Sequence, residues 1–113
     1  MRIERGNKIL IMEIVTVHSD VTNTIKSFDA LTQAKIVRLV ALLEMKEYRM
    51  GMPYSKKIAS NLYELRIKSI QNVRIFYMFY NEQIVLLNVV AKKTQKLIRK
   101  DIEKAIARAE SIA

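Results

Sequence analysis

The stretch Asn61 to Thr94, NLYELRIKSIQNVRIFYMFYNEQIVLLNVVAKKT, constrains the fold more than any other part of the chain. Tyr63, Leu65 and Ile67 alternate with Glu64, Arg66 and Lys68, the period-two pattern of a half-buried strand. Val73 to Tyr80 is almost continuous in β-branched and aromatic residues, and Ile84 to Ala91 is a third apolar run. Asn81-Glu82, between the last two runs, suits a short hairpin turn. Three such runs predict an antiparallel meander, which buries one face and can leave the other wet. The wet face would carry Arg66 and Lys68 from the first strand and Arg74 from the second, with Lys92-Lys93 where the third ends.

The rest of the chain supplies what covers such a sheet. Residues 1–8 read as a loose basic lead-in, and residues 9–17 as a strand, apolar on both sides and therefore expected in the sheet interior. In HSDVTNTIKSF, Asp20 or Thr22 can cap a short helix whose Val21, Ile25 and Phe28 share one face. A longer helix over roughly 31–49 has a wide apolar stripe, closed by Gly51 and Pro53. Residues 51–61 read as a basic loop. After Lys93, Ile98, Ile102, Ala105, Ile106, Ala109 and Ile112 form a 3.6-residue stripe, opposite Lys96, Arg99, Lys100, Lys104 and Arg108, expected as a solvated face. The predicted order is β-α-α-β-β-β-α. The expected fold is one small α+β domain over residues 1–113, its sheet mainly antiparallel, with the first strand parallel to a strand of the meander and the helices on one face.

Composition narrows the function. Lys plus Arg number 20 against 11 Asp plus Glu, a formal charge of +9. So large an imbalance attracts polyanions or acidic proteins. The cations are spread over strands and helices instead of forming one polybasic run, which favours nucleic acid over a membrane surface. No segment reaches the ~18 uninterrupted apolar residues of a membrane-spanning helix, and Glu13 breaks the N-terminal apolar run, which reads as a strand and not a signal peptide. With no Cys and one His, neither a disulfide framework nor a protein-held metal is expected, no cofactor is implied, and the cytoplasm suits the chain.

No Gly-rich phosphate loop, Ser/His/Asp grouping or HExxH motif is present. What remains is the array Arg66, Lys68, Arg74, Lys92 and Lys93. Clustered guanidinium and ammonium groups bind phosphates, and they stabilise the extra charge that a phosphate gains in its transition state. Glu64 is expected to form a surface ion pair with a nearby cation, Arg74 to lie outside the core, and His18 to be an exposed loop residue.

YELRIKS, then VRIFYMFYNEQIVLLNVVAKKTQK, then a final helix containing IEKAIARA, closely resembles the RelE/ParE toxin superfamily, in particular its HigB-like, phage-derived branch. The resemblance runs from about Ile9 to the end, and Pro53-Tyr54-Ser55-Lys56-Lys57 fits the family's basic loop. It implies a toxin of a type II toxin–antitoxin pair: a metal-independent endoribonuclease that cuts messenger RNA, commonly on the ribosome, by attack of a ribose 2′-OH on the adjacent phosphate. The cognate antitoxin is expected to be a helix-turn-helix DNA-binding protein. The resemblance places the family's first-strand cations on Arg66 and Lys68, its next-strand Arg on Arg74 and its final basic residue on Lys92 or Lys93; Arg66, Arg74, Lys92 and Lys93 are the catalytic candidates, and Lys56, Lys57, Lys68 and Lys96 the RNA-binding ones. The chain departs from relatives that carry a C-terminal Tyr, since none follows Tyr80. The general base is thus open among Lys92, Lys93, Tyr77 and Tyr80. The alternatives are a ParE-like inhibitor of DNA gyrase, which is not an enzyme, and a plain basic nucleic-acid-binding module.

Overall fold

A computed structural model describes residues 13–92 and 99–112. The expected lead-in, the first part of strand 9–17, Lys93, Lys96 and Ile98 lie outside them. The elements are β1 (Glu13–Thr16), α1 (Ser19–Lys26), α2 (Ala30–Lys46), a 3-10 turn (Glu47–Arg49), β2 (Ser55–Ala59), β3 (Leu62–Lys68), β4 (Asn72–Tyr80), β5 (Gln83–Lys92) and α3 (Arg99–Ile112). The strands form one sheet in the order β1-β5-β4-β3-β2, with β1 parallel to β5 and every other pairing antiparallel.

The α+β class, the element order and the parallel pairing of the first strand match the expectation. Asn81 and Glu82 both have positive φ, 51° and 59°. Two consecutive left-handed residues make the tight turn whose twist matches that of the strands it joins.

Three details differ. The loop expected over 51–61 contains a fifth strand, β2, paired with β3. Its Lys56, Lys57 and Ala59 are exposed, so it lacks an apolar signature; lysines on an edge strand also discourage pairing with another chain. β1 is covered on both faces but lies at the sheet edge and not in its interior. The helices were expected on one face, and they divide between two. Leu65, Ile67, Val73, Ile75, Tyr77, Ile84 and Leu86 pack with Val21 and Phe28, around α1, and Ile36 and Leu43 of α2. On the opposite face Phe76, Met78, Val85 and Leu87 pack with Ala105, Ile102, Ala109 and Ile112 of α3. The cause is that β4 and β5 are apolar on both sides, so both faces need cover.

Side chains fix the helix ends. Asp29 caps α2, accepting from the Thr32 N–H at 2.9 Å and the Thr32 hydroxyl at 2.6 Å, which holds its carboxyl below the usual range. His18 is exposed as expected, and its Nδ1 accepts from the Asp20 N–H at the start of α1. Arg108 departs from the solvated face expected of it. Its guanidinium donates to both Asp20 oxygens, at 2.8 and 2.6 Å, and to the Leu87 carbonyl at 2.9 Å, tying α3 to α1 and β5.

The hydrogen bonds from Arg108 lower the Asp20 pKa from 3.8 to about 2. A carboxylate whose folded pKa is depressed stabilises above its unfolded pKa, and the contribution fades as pH falls through the folded value. Asp20→Asn should therefore lower the melting temperature by a constant margin above about pH 5, and the two curves should converge toward pH 2. Thermal unfolding across that range tests this; a margin that does not narrow contradicts the tie.

Candidate functional site

The strand register decides which cations meet. Arg66 of β3 lies directly opposite Arg74 of β4, and Lys92 of β5 lies opposite Asn72, one pair further along the same face. Directly opposed residues on neighbouring strands bring their Cβ atoms within about 5 Å, and like charges so placed repel. Glu64 relieves this. It stands two residues before Arg66, projects from the same face, and is diagonal to Arg74. One of its carboxylate oxygens accepts from Arg66 Nε at 3.0 Å, and the other lies 3.6 Å from Arg74 Nε.

The group is covered. Glu64 is 2 % exposed and Arg74 6 %, while the Arg66 side chain keeps 27 %. Glu64 is therefore a buried carboxylate, not the surface partner expected, and Arg74 lies inside the packed part of the sheet and not outside it. Alternation could place both on the polar face but could not show how much of that face neighbouring strands and loops cover. Glu64 Oε2 and Arg74 Nε face each other with no hydrogen-bond partner among the described residues. Arg74 Nη1 donates to the Val73 carbonyl at 3.3 Å.

Burial lowers the Arg74 pKa, with Glu64 opposing and Arg66 assisting the shift. The Lys92 ammonium is lowered in pKa by burial and then by the Arg74 charge, against an opposing effect of Glu64. Three cations and one carboxylate thus share a partly water-shielded patch with a net charge of +2. Such an arrangement suits an anion that brings more than one negative oxygen.

The other expected residues fall in different places. Lys68 is exposed two residues beyond Arg66, on the same face. Lys56, opposite Glu64, projects on that face too, whereas Lys57, opposite Tyr63, projects on the α2 face. Tyr77 is buried on the α2 face, stacked on Tyr63 with centroids 5.3 Å apart and hydrogen-bonded to Ser55. Burial pushes its pKa up to about 12. Tyr80 is six residues from Arg74 along β4, roughly 20 Å at strand spacing. Neither tyrosine reaches the cations, so of the four candidate bases only Lys92 stands with them among the described residues. Asn88, which the sequence did not single out, is buried on the α3 face and donates to the Asp101 carbonyl at 3.3 Å, tethering the first turn of α3.

The structure is thus a small α+β domain with a covered cationic cluster on one face of its sheet. The sequence profile described as phage derived protein Gp49-like (DUF891) matches residues 23–110, more than half of the chain. The chain belongs to this family, a RelE-like toxin family, which is consistent with the toxin member of a toxin–antitoxin pair and suggests an antitoxin partner. No curated protein matches the chain. No described helix is long and apolar enough to cross a membrane.

Removing one member of a buried ion pair costs about 3–5 kcal/mol. Glu64→Gln should fall at the low end, because its amide oxygen can still accept from Arg66. In a domain of this size that lowers the melting temperature by on the order of 10 °C. Differential scanning calorimetry tests this. A shift of only a degree or two would mean that Glu64 does not hold the arginines.

Proposed function

We propose that this protein is the toxin of a type II toxin–antitoxin pair in the HigB-like branch, a metal-independent endoribonuclease that cleaves messenger RNA on the ribosome in the cytoplasm. The observation that carries this reading is the gathering of Arg66, Arg74 and Lys92 around the buried Glu64. In the proposed reaction the ribose 2′ oxygen loses its proton and attacks the adjacent phosphorus, the bond to the 5′ oxygen breaks, and the leaving 5′ oxygen takes a proton from water. The products are a 2′,3′-cyclic phosphate and a 5′-OH. Arg66 and Arg74 hold the phosphate oxygens and stabilise the charge that builds on them. Lys92 is the candidate base for the 2′ proton, because it is the one of the four candidates that stands with the arginines among the described residues. Lys56 and Lys68, exposed on the same face, guide the strand, while Lys93 and Lys96, which lie outside the described residues, are kept as candidates from the sequence alone.

Because Arg74 is buried, Arg74→Ala confounds folding with function. Arg74→Lys and Lys92→Gln are the better tests. Lys keeps the charge beside Glu64 but loses the planar fork that grips two oxygens. Each variant should lower the rate of messenger RNA cleavage by on the order of 10²–10³. For Lys92→Gln, circular dichroism and melting should stay near wild type. Cleavage is followed by primer extension on translating ribosomes, with growth arrest as a second readout. Full toxicity in both variants would remove the cluster from the site, and DNA damage with intact messenger RNA would point to gyrase.

The described residues contain no group of three or more potential metal ligands. Cleavage should therefore persist in excess chelator once ribosome integrity is restored. A specific requirement for added Mn²⁺ or Zn²⁺ would contradict the mechanism.

A further inference from the structure

A second feature stands on the other side of β3. The outer face of α2 is unusually apolar for a solvent-facing helix: Val37 and Met45 are each 67 % exposed, and Ala41 between them is exposed. Across from it, the chain from the 3-10 turn into β2 leaves Met52 61 % and Tyr54 46 % exposed. Between them runs a groove of about 610 Å³ whose walls include Leu39, Leu42, Met45, Pro53 and Tyr54. Exposed apolar surface grouped this way marks a contact site more often than chance.

The rim of the groove is cationic. Lys35 and Arg38 of α2 stand on one side, and Arg66 and Lys68 at the β3 edge on the other. Arg66 is engaged by Glu64, and Lys35 Nζ donates to the Lys68 carbonyl at 2.7 Å, joining α2 to the end of β3. Among the described residues no carboxylate pairs with Lys35, Arg38 or Lys68. The other cations near carboxylates, Lys104 and Arg108 at Asp20 and Arg99 at Glu103, lie elsewhere.

We propose that this groove is the docking site for an acidic, amphipathic segment of a partner protein, whose apolar side chains fill it and whose carboxylates meet Lys35, Arg38 and Lys68. Two observations choose this occupant. A nucleic-acid strand stacks its bases on successive aromatic faces, and the walls offer one, Tyr54, among the aliphatic side chains of Leu39, Leu42, Met45 and Pro53. A second copy of this chain brings another +9 to a rim that is already positive. A partner bearing Asp or Glu beside an apolar stripe satisfies the walls and the rim together, and the net charge speeds its encounter. This assignment does not rest on the RNA-cleavage reading.

The probe is a phage-displayed library of random peptides of about 16 residues, four helical turns, selected against the full chain. Binding of enriched peptides is measured by fluorescence anisotropy. Two exposed positions give variants that should fold normally: Ala41→Trp fills the groove, and Arg38→Glu reverses its rim. Enriched peptides should place Asp or Glu beside apolar residues, and each variant should weaken them by about tenfold or more with unchanged melting. Failure to enrich such peptides, or equal binding to Ala41→Trp, overturns the proposal. So does a short RNA whose binding is lost in Ala41→Trp, which would give the groove to nucleic acid. A dimer in sedimentation that Ala41→Trp dissociates would give it to a second copy.

Discussion

The structure turns on one carboxylate. Pairing β3 with β4 in the register that buries Leu65, Ile67, Val73 and Ile75 forces Arg66 and Arg74 into direct opposition on the other face. A slip of one residue would relieve the charges but send every apolar side chain to the wrong side. Glu64 resolves the conflict by lying against both guanidinium groups, and its own burial is tolerable only because they are there. The packing of one face thus dictates the electrostatics of the other. In the functional reading, the compensation is partial by design: a net positive charge remains for a phosphate to meet.

Much of the frame was legible in the sequence because hydrophobic periodicity is a local signal. The three central strands, their turn at Asn81-Glu82 and the alternation that puts Arg66 and Arg74 on one face follow directly from it. Burial was not legible, because alternation names a side of a strand but not what covers that side. Arg74 and Glu64 read as surface residues for this reason, although knowing that two arginines must face each other would have signalled the need for a carboxylate between them. β2 was missed because an exposed, lysine-bearing edge strand resembles a basic loop. The Arg108–Asp20 tie joins residues 88 positions apart in the chain, which no local pattern reports.

The cations of this basic chain do different work. Arg108 is spent on Asp20, joining α1, α3 and β5. Arg66 and Arg74 are held around Glu64, with Lys92 close by. Lys35, Arg38 and Lys68 surround an apolar groove on the α2 side. The Glu64-centred cluster and the groove therefore meet at the outer end of β3, with Arg66 on the boundary between them. A net charge of +9 brings polyanions near. Only burial and fixed geometry distinguish the cluster from the solvated lysines of α3.

The most direct test of the central claim, that the Glu64-centred cluster is where RNA binds, is an NMR titration of isotope-labelled protein. The ligand is a short RNA methylated at its 2′ oxygens so that it cannot be cut. The largest shift changes should fall on Arg66, Arg74 and Lys92 and their strand neighbours. Four phosphate contacts to single-stranded RNA, from Arg66, Arg74, Lys56 and Lys68, should give a slope of log affinity against log salt of about −3. Changes centred instead on Lys100 and Lys104 of α3, with Arg74 unmoved, would show that the cluster is structural and that the account of the site is wrong.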